Sequence, residues 1–72
     1  MNYAEFKPIK IQHDQFVVSE QIVSPEFHQD IIQVFQFYKV NYKIADSKIF
    51  IDAKLWEDKD LMWNYTNKAK NH

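Results

Sequence analysis

The chain has 72 residues, 46% hydrophobic and 17% aromatic, a formal net charge of −1, and neither cysteine nor glycine. Without cysteine no disulfide or thiolate metal site can staple so short a chain. Without glycine the phosphate-cradling loop, the dinucleotide fingerprint and the glycine-clamped RNA loop are excluded. Every basic residue apart from histidine is a lysine, which counts against nucleic acid as a partner, because bidentate phosphate and guanine contacts favour arginine.

No apolar run is long enough to span a bilayer. The opening residues Met1 to Phe6 lack the pattern of a signal peptide. The expectation is a cytoplasmic protein, unless Met1 stands in place of a removed leader, with one small domain over residues 1–72. A chain of this size supports only a thin core. Its aromatic residues therefore either supply buried area or serve a subunit interface.

Residues 1–7 are weakly patterned and read as a lead-in or an edge strand; Pro8 restricts the backbone after them. Ile9 to Gln12 alternates and predicts a strand, His13 to Gln15 a turn, and Phe16 to Val18 a second strand. A single strand bulged at His13-Asp14 is the competing arrangement. Ile22 and Val23 are expected to pack beneath the first turn of the helix that follows.

Ser24-Pro25-Glu26 is a helix start, with a capping hydroxyl, proline at the first helical position and a carboxylate at the positive end of the dipole. At about 100° per residue one stripe gathers Phe27, Ile31, Val34, Phe35, Tyr38 and Tyr42. Asn41 tolerates the left-handed conformation and is the expected stop. Tyr42 to Ala45, the turn Asp46-Ser47, and Lys48 to Asp52 then form a hairpin. Its alternation puts Tyr42, Ile44, Ile49 and Ile51 on the helix side and Phe50 on the other. A helix followed by Tyr42-Lys43-Ile44 and Ile49-Phe50-Ile51 resembles many small α+β modules, including ring-building domains of secretion systems, over the central third of the chain. It carries no functional residue.

Ala53 to Trp56 either extends the last strand or leaves the sheet. Asp58 is the expected cap of a second helix that runs to about Lys68, with Leu61, Met62, Tyr65 and Ala69 on one face and lysines near its end. The resulting fold class is α+β, a small antiparallel sheet with two helices in the order β(β)αββα.

No catalytic constellation emerges. His13 beside Asp14, and His28 beside Asp30, lack a third ligand and any metal-binding spacing. Glu57, Asp58 and Asp60 suit a helix N-terminus. Ser19, Ser24 and Ser47 have no motif that supplies a base or an oxyanion hole. Asn64-Tyr65-Thr66 matches a glycosylation sequon, which matters only in a eukaryotic secretory chain. The expectation is a non-enzymatic protein with no catalytic, cofactor or metal residues.

The informative feature is an aromatic surplus. Phe37 and Val40 fall off the main stripe, Phe50 and Trp56 share the far face if the last strand continues, and Trp63 lies opposite Leu61 and Tyr65. A clustered set of this kind marks an interface. The expected function is self-association as a homodimer. A bacterial immunity-like, antitoxin-like or adaptor protein that binds a different protein is the alternative. Stacking of single-stranded nucleic acid on Tyr42, Phe50 and Trp56 is the less favoured third reading.

Overall fold

The structure is a computed structural model and describes residues 2–19 and 23–71. Its elements are β1 (Tyr3–Glu5), β2 (Ile9–Gln12), β3 (Gln15–Val18), α1 (Pro25–Phe37), β4 (Tyr42–Ala45), β5 (Lys48–Asp52), α2 (Ala53–Trp56) and α3 (Lys59–Lys70). The fold is α+β, as the sequence predicts. Its strands form two antiparallel sheets, a three-stranded one in the order β1-β5-β4 and the separate β2-β3 hairpin. Residues before Pro8 thus form an edge strand, and the N-terminal hairpin forms in place of one bulged strand. Ile22, expected beneath α1, lies outside the described residues; Val23 is half-buried.

Both hairpins turn on two residues with positive φ, His13 (53°) with Asp14 (61°) and Asp46 (52°) with Ser47 (62°). Two positive-φ residues in a two-residue loop match the twist of the flanking strands. A chain without glycine assigns this conformation to other residues, at a steric cost.

The cap of α1 is as expected, with Ser24 Oγ accepting from the Phe27 N–H at 3.1 Å. Its end differs. The helix stops at Phe37, with Tyr38 as C-cap, and Lys39, not Asn41, takes the left-handed conformation at φ 59°. The Lys39 N–H donates to Gln36 O and the Val40 N–H to Phe35 O. This double closure satisfies carbonyls that the helix leaves open. It also turns Val40 back onto the core.

The core gathers Phe6, Ile9, Ile31, Val34, Phe35, Ile49, Ile51, Met62, Tyr65 and Ala69. Phe35 is at its centre, edge-on to Phe6 at 5.2 Å and to Tyr65 at 5.6 Å. Tyr42 pairs with Ile51 and Ile44 with Ile49, so the four share a face as the alternation predicts. Ile44 is nonetheless 52% exposed, because β4 is an edge strand and the core ends at its neighbour. Tyr38 also leaves the expected stripe and is 43% exposed.

One buried polar side chain ties the hairpin to the second long helix. Thr66 Oγ1 accepts from the Ile9 N–H at 3.1 Å and donates to Met62 O at 2.8 Å. Paired residues in an antiparallel ladder alternate between bonded and non-bonded pairs. Counting back from the bonded pair that closes the turn, Gln12 with Gln15, the pair Ile9 with Val18 is non-bonded. The Ile9 N–H therefore points away from β3, and Thr66 supplies the acceptor that the ladder does not.

Candidate functional site

Helix α1 has a pitch of about 100° per residue, so Phe37 is about 200° around from the buried Phe35. It is 77% exposed, the most open large apolar residue described. Its ring packs edge-on to Tyr38 at 4.9 Å. Tyr38 in turn tilts over Tyr65 at 5.7 Å, and Lys68 Nζ is 5.5 Å from the centre of the Tyr38 ring, within cation–π reach.

Phe37 and Tyr38 form one wall of a groove of 680 Å³ between α1 and α3. Gln33, Asn64, Asn67 and Asn71 supply carboxamides along it, and Lys68 is the one charged lining residue among those described. Carboxamides donate and accept at once, so the groove can bond a peptide backbone or a polar side chain without carrying net negative charge. The Tyr65 phenol beneath it is pushed above its ordinary range, first by burial, then by Tyr38 and Asp58, and stays protonated at neutral pH.

Of the five residues expected at an interface, Phe37 alone is fully open in this groove. Phe50 is half-buried on the far sheet face, beside Lys43 and Glu5 in register. The other three pack on the core. Val40 is turned inward by the helix closure. Trp56 does not continue on the Phe50 side: Asp52 Oδ1 accepts from the Lys54 N–H at 2.9 Å, this cap starts α2, and the chain leaves the sheet. The Trp56 indole then packs edge-on to Phe6 at 5.9 Å and carries Lys59 Nζ 3.5 Å over its ring. Burial lowers the Lys59 ammonium pKa, against an opposing pull from Glu57.

Trp63 was expected outside the monomer's own core and instead packs against it. The β2-β3 hairpin folds over α3 and brings Phe16 to 5.9 Å from its ring. Phe16 and Ile11, paired across that hairpin, form a second exposed apolar patch at 42% and 51%. Sequence reasoning passed over that patch and also the amides of α3. The amides did leave a signal, since Asn64, Asn67 and Asn71 recur at helical spacing.

The candidate chemical residues have structural places. Asp58 Oδ1 caps α3 through the Leu61 N–H at 3.1 Å. His13, Asp14, Asp46 and Ser47 make turns. Among the described residues no three of His, Cys, Asp and Glu converge as a metal site, and no helix is long and apolar enough to cross a membrane. Neither a protein-family model, nor a curated protein, nor a solved structure matches the chain.

Proposed function

We propose that this chain is a non-enzymatic protein-interaction module that self-associates as a homodimer through the α1–α3 groove. The observation that carries the reading is Phe37, 77% exposed on the lip of a groove lined by its own neighbours. A two-fold contact is made by the same patch on both copies. Placing an exposed ring beside a groove allows each copy to seat its Phe37 in the other.

Sedimentation equilibrium across the micromolar range tests this. The mass should rise from one chain toward two with concentration. Phe37→Ala should weaken the association by about 2 kcal/mol or more, as buried aromatic anchors do, with unchanged far-UV circular dichroism. A single-chain mass at every concentration would remove the homodimer.

One observation favours a different protein as partner. Lys68 is the one charged residue among those described along the groove, and a two-fold axis there would bring it near its own copy. An acidic partner would relieve that repulsion. A monomer that captures such a partner, and loses it with Lys68→Glu, fits this second reading.

A further inference from the structure

A second concavity shares no described lining residue with the α1–α3 groove and is independent of the reading above. It has a volume of 420 Å³ and sits between the first turns of α1, the end of β1 and the β4-β5 turn. Its floor is apolar, formed by Phe6, Phe27, Ile31 and Ile49. Its volume lies within the range of about 300–1,000 Å³ typical of small-molecule sites, which join an apolar body to a few converging polar groups.

Lys7, Lys48, Ser19, Ser47 and His28 stand around the floor, with Glu5 as the one carboxylate among the described residues. His28 carries the decisive feature. Its Nε2 is buried and meets no hydrogen-bonding partner among the described residues. Buried polar atoms are nearly always paired, and an orphan calls for an explanation. An imidazole N–H in one pocket with the Lys48 ammonium is complementary to an anion, and a hydrogen bond from it to a carboxylate is charge-assisted.

We propose that this pocket binds a small monocarboxylate with an apolar body. The tail lies on Phe6, Phe27, Ile31 and Ile49. The carboxylate accepts from His28 Nε2, which a turn of the imidazole brings to the cavity wall, and faces the Lys48 ammonium and the Ser47 hydroxyl.

Hexanoate and its neutral isostere hexanamide are the probes, titrated into the whole chain and followed by NMR shifts of the His28 ring and the Ser47 and Lys48 amides. Hexanoate should shift these signals saturably, and hexanamide should bind about tenfold more weakly or worse. His28→Leu and Lys48→Gln should each lose about tenfold in hexanoate affinity. Lys48 is exposed and pairs with Ala45 in the row that closes the β4-β5 turn, so Lys48→Gln keeps the fold and isolates the charge. His28→Leu should melt at or above wild type, because it removes an unpaired buried polar atom. Equal affinity for the two probes would overturn the carboxylate assignment. No saturable shift up to about 10 mM, far weaker than useful recognition, or unchanged affinity in both variants, would overturn the site.

Discussion

Thr66→Val replaces a polar side chain in the core with an apolar one of the same shape, and it should destabilise the protein. Thr66 is fully buried, and its hydroxyl is the acceptor for the Ile9 N–H at 3.1 Å. The bond it donates to Met62 O matters less, because that carbonyl stays within the helical ladder of α3. Valine leaves the Ile9 N–H buried and unpaired, at a cost of about 1–3 kcal/mol. The methyl that replaces the hydroxyl returns about 0.8 kcal/mol of transfer free energy. The net loss is about 0.2–2 kcal/mol, against a total of about 5 kcal/mol for a domain near the low end of the usual range. In a chain this short that lowers Tm by roughly 1–16 °C. Thermal melts and urea midpoints should agree, with unchanged m-values. Amide hydrogen exchange supplies the specific readout. The Ile9 amide should lose protection in Thr66→Val and keep it in Thr66→Ser, which retains the acceptor. If Thr66→Val melts at or above wild type with the Ile9 amide still protected, the reasoning from this hydrogen bond is wrong.

Lys39→Gly should stabilise the protein by about 0.5–1 kcal/mol, because relief of the left-handed penalty at φ 59° outweighs the extra backbone entropy of glycine in the unfolded chain; a urea midpoint at or below wild type would refute this. Trp63→Ala should cost about 3 kcal/mol, at the low end for a truncated Trp because the ring is only partly buried. Its Tm should fall by the same amount at two concentrations a hundredfold apart, and a loss confined to the concentrated sample, where association adds most to stability, would place Trp63 between chains instead. Burial holds the Tyr65 phenol pKa above its ordinary value of 10.0, so the folded state binds that proton more tightly than the unfolded state. That contribution is present below pH 10.0 and is lost as pH climbs through the raised value. The lowered Lys59 pKa works in the opposite direction as pH rises. Chemical denaturation between pH 9 and 12 should therefore show a shallower alkaline loss in Tyr65→Phe than in wild type, and equal slopes would count against Tyr65 as a source of that loss.

The features that local chemistry dictates were legible in the sequence. Ser24 and Asp58 cap the two long helices because their side-chain oxygens reach backbone N–H groups three residues ahead. Asp46-Ser47 closes its hairpin, and strand alternation separates Ile49 and Ile51 from Phe50, because neighbouring side chains in a strand point to opposite faces. Such rules act over a few residues and survive any tertiary arrangement. The stop of α1 was expected at Asn41 and falls two to four residues earlier, because the left-handed conformation is taken by Lys39, a residue type that gives no local signal for it. The choice rests on Val40, which closes the helix by donating to Phe35 O and packs on the core.

Which aromatic residues reach water was decided by the tertiary structure. Trp56 and Trp63 were read as surface because their phase within their own segments points them outward. Phe6, far away in sequence, covers the first, and Phe16, from a hairpin folded across α3, covers the second. Thr66 had no local reason to be buried; it is buried because the Ile9 N–H, turned away from its own hairpin, needs an acceptor. Phe37 stays exposed for the converse reason. Its own helix fixes its direction, and no other described segment folds over it, since the chain turns back at Lys39 into β4. Helical phase could say which way that ring points, and only the packing of distant segments could say whether anything would cover it.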